Sequence, residues 1–156
     1  MAHKNFLDNR SGFDVDLNRW DLLAIACLAK LGVEGESELY ISYVGEQEMA
    51  TLNHDLMGKD GPTDVLSFDV SFEVEISVEI PRILGEVYIC PQVAASNAPD
   101  HADALHRGTI EDELALLLVH GILHISGMDH MADLEAEEME ELERVILRSS
   151  YYGLDN

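Results

Sequence analysis

The sequence predicts an α+β domain: a small mixed sheet of about four strands packed with helices, one of which carries metal ligands. Three observations predict it. Apolar residues recur at helical spacing near 16–31, 46–57, 109–124 and 133–146. They alternate with polar residues, or run short and apolar, at 39–43, 65–68, 70–80 and 84–90. Finally, His120, His124 and His130 stand at positions one, five and eleven of one stretch that directly succeeds an apolar run. At 156 residues, 47% apolar and 26% charged, residues 1–156 form a single domain that can bury a full core.

Leu17, Trp20, Ala24, Cys27, Leu28 and Leu31 share one helical face, with Asp16 as N-cap and Gly32 as stop, so Trp20 is a packing residue. Leu39, Ile41 and Tyr43 form the inner face of a strand. A helix from Glu46 to Met57 turns Met49, Leu52 and Leu56 inward and ends at Gly58. The loop Gly58-Lys59-Asp60-Gly61-Pro62-Thr63-Asp64 has the composition of a turn and enters the strand Val65–Phe68. From Val70 to Ile80 apolar residues alternate with Ser and Glu, which predicts an edge ribbon with one acidic face, ended by Pro81. The strand Leu84–Cys90 contains Gly85, which marks a bulge or a close approach.

Pro91 suits the first turn of a helix, and Pro99 ends or kinks that helix. The stretch Asp100–Arg107 reads as a loop in which His101 and His106 are plain exposed histidines. Thr109 opens the central helix with Asp112 three residues on, and Glu111 and Glu113 suit its positive end. Leu114–Val119 is apolar all round, so this helix is buried on most sides. Asp133 caps a last helix with Leu134, Met139, Leu142, Val145 and Ile146 inward. Its glutamates, Glu135, Glu137, Glu138, Glu140, Glu141 and Glu143, face water.

Met1 to Leu7 lacks a signal-peptide core and the run Leu114–Val119 is too short to span a bilayer, so a cytoplasmic protein without a membrane partner is expected. Cys27 and Cys90 form no CxxC pair and read as reduced core thiols. Thirty-one acidic residues against nine basic ones give a formal charge of −22, unusual for a protein that binds a polyanion. Solubility, or a salty cytoplasm that screens charge within a Debye length of ~8 Å or less, accounts for it without a site.

The histidines carry the chemistry. His120 and His124, four apart, project from one helical face. Gly127 accepts the left-handed conformation of a helix end and lets the chain bring His130 back. Three imidazoles with an open fourth position suit catalytic zinc better than nickel, cobalt or manganese. Bound water at such a site has a pKa of roughly 7 and attacks phosphoryl or carbonyl centres, so hydrolysis is the expected reaction class. The spacing matches the metzincin protease pattern, except that Gly121 stands where the glutamate base belongs. RNA cleavage has another route, because the neighbouring 2′-hydroxyl can be the nucleophile. Asp129 either orients an imidazole or acts as base, with a turn role as the alternative.

These residues resemble the YbeY endoribonucleases. The signature H-G-x-L-H-x-x-G-x-D-H is met at His120-Gly121-Ile122-Leu123-His124, Gly127 and Asp129-His130. The likeness extends to the loop Gly58–Phe68, to Leu84–Cys90 and to Glu135–Glu140. The resemblance implies a zincin-like fold with His120, His124 and His130 as ligands of one zinc ion per chain. It also implies a single-strand-specific endoribonuclease of 16S rRNA 3′-end maturation and ribosome quality control, whose partners are rRNA and the small ribosomal subunit. His120, Asp129 and Lys59 are then the catalytic candidates. Met57 stands where many members have an arginine implicated in RNA cleavage, and Lys59 and Arg107 are the cations available to bind substrate instead. Two other readings compete: a peptidase-like zinc hydrolase, and a non-enzymatic ribosome-assembly protein whose acidic faces meet basic ribosomal proteins.

Overall fold

Asp16 opens the first helix as its sequence position predicts: its carboxylate accepts the backbone N–H of Arg19 at 3.2 Å, and α1 runs Leu17–Lys30. A computed structural model describes residues 3–33, 37–69, 82–125 and 136–154. Before α1 comes β1 (His3–Asn9). After it come β2 (Ser37–Tyr43), α2 (Glu46–Met57), β3 (Val65–Asp69) and β4 (Arg82–Ile89). Then α3 (Pro91–Asn97) passes into a 3-10 turn at Ala98–His101, and α4 (Ile110–Ile125) and α5 (Ala136–Ser150) complete the described chain. The predicted ribbon Val70–Ile80, together with Gly127, Asp129, His130 and Asp133, lies outside the described residues.

The strands form one mixed sheet in the order β1-β2-β4-β3. β2 is parallel to β1 and to β4, while β3 runs antiparallel to β4. The parallel pair β1/β2 is bridged by α1, which packs on β1. Leu39, Ile41 and Tyr43 of β2 and Val87 and Ile89 of β4 are fully buried in the core shared with α1 and α4. On a second, smaller cluster α2 contributes Met49, beside Val44, Leu66 and Cys90. Strand β1 is not predicted by the sequence because His3-Lys4-Asn5-Phe6-Leu7-Asp8-Asn9 lacks a β-branched run. Pairing along the whole of β2 makes it a strand, a tertiary effect overriding weak local propensity.

Helix α2 has the predicted bounds but a different inner face. Leu56 is 54% exposed, and Asn53 is buried in its place. The reason is the loop after the helix: Asn53 Nδ2 donates to the carbonyl of Gly61 at 2.9 Å and its own carbonyl receives the N–H of Lys59. Gly58 ends the helix at φ 68°. Both readings of Gly85 hold. The β2/β4 register shifts there, and a Cβ on Gly85 would stand 2.3 Å from the carbonyl oxygen of Phe68 and 3.0 Å from Ile125 Cδ1. That close approach sets the end of α4 against the β3/β4 edge. Cys27 and Cys90 are free and buried, as expected, and burial pushes the Cys27 thiol up to about 12.

Candidate metal centre

Helix α4 carries the centre, and its start is fixed first. Thr109 Oγ1 accepts the N–H of Asp112 at 3.2 Å. The Asp112 carboxylate, itself 1% exposed, accepts from Arg107 N, Nε and Nη2 at 2.8, 3.0 and 2.8 Å and from the Tyr151 hydroxyl at 2.8 Å. Burial alone would raise that carboxyl, but the Arg107 and tyrosine contacts outweigh it and hold the group well below the usual carboxylate range. Arg107 is therefore tied to Asp112, although its side chain stays 64% exposed.

One residue on, Glu113 is fully buried rather than simply placed at the helix's positive end. His101 and His106 account for it: both bond Glu113 and so are not plain loop histidines, although His101 stays 45% exposed as expected. His101 Nδ1 lies 2.8 and 2.9 Å from the two Glu113 oxygens, and His106 Nε2 lies 2.9 Å from Oε1. His106 Nδ1 accepts the backbone N–H of Gly108, so its Nε2 carries the proton given to Glu113. His106 is only 5% exposed. A carboxylate with no solvent needs such partners, and the loop folds back to supply them.

Two turns along the same stripe stand His120 and His124. Their Nε2 atoms are 3.0 Å apart, with ring planes at 69°. Tetrahedral ligands at the usual zinc–nitrogen distance lie about 3.3 Å apart, so the pair would need only small ring rotations to hold one ion. The other side of His120 is held as well: its Nδ1 donates to Glu143 Oε2 of α5 at 2.7 Å. A metal-binding histidine commonly donates its second ring nitrogen to a carboxylate in this way, which fixes the tautomer and leaves Nε2 bare for the ion. Glu143 raises the His120 imidazole above its usual range against the opposing effect of burial, with Asp64 adding to the rise. His124 is lowered, by burial first and by the charge of His120 second.

Sequence pattern puts Glu143 among the water-facing glutamates, and the structure corrects this: its side chain is 14% exposed. The signal is its place in the stripe Met139, Glu143, Ile146, where a carboxylate on an apolar face needs a partner. Among the described residues no third donor joins His120 and His124, and His130 and Asp129 lie outside them. Lys59 stands exposed on the loop after Gly58, and Met57 beside it is 48% exposed. The described contacts bring neither Lys59 nor Arg107 to the histidines. Gly121 has a structural reason to be glycine, since a Cβ there would lie 2.8 Å from Val87 Cγ1. A glutamate at the peptidase position would collide with β4.

Among the described residues, no helix is long and apolar enough to cross a membrane. Endoribonuclease YbeY of Salinispora tropica is 40% identical over 154 residues, covering 90% of this chain and 92% of that protein. Endoribonuclease YbeY of Legionella pneumophila strain Corby is 34% identical, covering 98% and 93%. The solution structure of TM1509 from Thermotoga maritima superposes with a TM-score of 0.63 at 27% identity, covering 96% of this chain and 90% of that one. Residues 7–151 match the sequence profile described as Endoribonuclease YbeY, and the chain belongs to that family.

Proposed function

We propose that the chain is a zinc-dependent endoribonuclease of single-stranded RNA, acting in the cytoplasm in 16S rRNA 3′-end maturation and ribosome quality control. The observation that carries the metal is the convergence of His120 and His124 Nε2 with Glu143 bonded behind His120. His120, His124 and His130 would hold one zinc ion. Bound zinc supplies Lewis acidity toward a phosphate oxygen and a water of lowered pKa. The chain's own part is to keep His120 in its Nδ1–H form through Glu143 and to exclude a peptidase base at Gly121. Asp129 and Lys59 join His120 as the catalytic candidates, and Lys59 and Arg107 are the substrate-binding cations in place of the arginine that Met57 replaces.

The single domain over residues 1–156 would meet the small ribosomal subunit, where its acidic surface suits basic ribosomal proteins, whose charge offsets the repulsion between this chain and rRNA. The test is cleavage of a single-stranded rRNA fragment and of its duplex by zinc-loaded protein, beside His124→Ala. Cutting of the single strand alone, lost in the variant, is expected. Equal activity of the two proteins, or cleavage of peptides but not RNA, would contradict the reading.

A further inference from the structure

The loop carrying His101, Leu116 in the second turn of α4, and Glu140, Glu143, Arg144 and Leu147 of α5 border an open cavity of about 330 Å³. Among its lining residues are His101, Asp103, Leu105, Glu140, Arg144 and Tyr152. Glu143, whose carboxylate holds His120, also lines it, so the cavity shares a wall with the metal centre. Glu113 and His120, seven residues apart on α4, are about 10 Å apart along its axis.

We infer that this cavity receives one unpaired nucleobase of the RNA, an amino-bearing base (cytosine, adenine or guanine) in preference to uracil. The inference rests on the endoribonuclease reading. Phosphate is disfavoured, because Asp103, Glu140 and Glu143 face the same space and Arg144 is paired with Glu141 at 2.9 Å. A planar base fits better. The Tyr152 ring and the side chain of Leu105 offer it stacking and apolar contact, and carboxylates accept from exocyclic amines, which uracil lacks. His101 is the fixed polar group of the wall: buried Glu113 holds its Nδ1, and its Nε2 has no partner among the described residues. An arginine side chain of a protein partner would also like tyrosine and carboxylates, but it would meet His101 and Arg144 in the same small space.

The experiment titrates full-length, zinc-loaded protein with CMP, AMP, GMP, UMP and ribose 5-phosphate, tracking the NMR signals of Tyr152 and His101. CMP should bind about tenfold more tightly than UMP, as one good base-edge contact allows. Glu140→Gln, a change at an exposed position, should reduce that ratio, and Tyr152→Leu should weaken all four nucleotides. Equal binding of UMP, equal binding of ribose 5-phosphate, or displacement of CMP by a tighter-binding arginine-rich peptide would overturn the inference. Cleavage of single-stranded RNA is measured on the same preparation. Cleavage without base preference removes the pocket alone, whereas base preference without cleavage removes the enzymatic reading and leaves a nucleobase site.

Discussion

Replacing Glu143 by alanine removes one contact, the 2.7 Å hydrogen bond to His120 Nδ1, and leaves both imidazoles of α4 in place. A hydrogen bond to a charged group contributes about 1.5–3 kcal/mol when shielded. Here Glu143 is 14% exposed but the His120 side chain is 44% exposed, so water can replace part of it and about 1–2 kcal/mol is the reasonable share. At 1.36 kcal/mol per factor of ten, zinc affinity should fall roughly 5- to 30-fold. That agrees with the tenfold to hundredfold range typical of carboxylates behind metal-binding histidines. Competition with a chromogenic chelator measures the affinity, and long-range nitrogen NMR of the metal-free protein at high pH reads the tautomer. The wild type should show His120 protonated on Nδ1, and Glu143→Ala should shift the ring toward a mixture. An affinity within twofold of wild type, in a variant whose circular dichroism is unchanged, would refute the role given to Glu143.

Other consequences are equally direct. Gly85→Ala places a methyl 2.3 Å from the Phe68 carbonyl oxygen, so it should cost roughly 1–3 kcal/mol, read as a lower urea midpoint; an unchanged midpoint would deny that close approach. Asp112, whose carboxyl is depressed in the folded state, adds stability that is present above the unfolded carboxylate pKa of about 3.9 and lost as pH falls toward its folded value. The stability gap between wild type and Asp112→Asn should therefore be constant at pH 5–7 and shrink below about pH 4, and a gap unchanged at pH 3 would contradict it. Cys27, fully buried with its thiol at about 12, should not react with a thiol reagent at pH 8 until the protein unfolds; rapid labelling of the native protein would show the core to be open there.

Where apolar periodicity met ordinary capping chemistry, the fold was legible. Asp16 and Gly58 bound their helices, and Leu39, Ile41 and Tyr43 line the core as their alternation required. Strand β1 was not legible, because its pairing with β2 rather than its composition makes it a strand. The site was half legible. Helical spacing alone brings His120 to His124, but the groups that support them come from distant segments. Glu143 reaches His120 across 23 positions, and His101 and His106 reach Glu113 across 12 and 7. A local reading assigns such charged residues to solvent. Burial of Glu113 and near-burial of Glu143 are properties of helix packing, and only the packed structure reveals which carboxylates had to find partners.

If His120 and His124 belong to a metal centre that cleaves RNA, zinc binding and cleavage must rise together. Zinc is titrated into metal-free protein while cleavage of a single-stranded rRNA fragment is monitored. Activity should rise in proportion to zinc and level off at one ion per chain, and His124→Ala should neither bind that ion tightly nor cleave. Full cleavage by metal-free protein, or tight binding of one zinc with no cleavage of any single-stranded RNA, would contradict it.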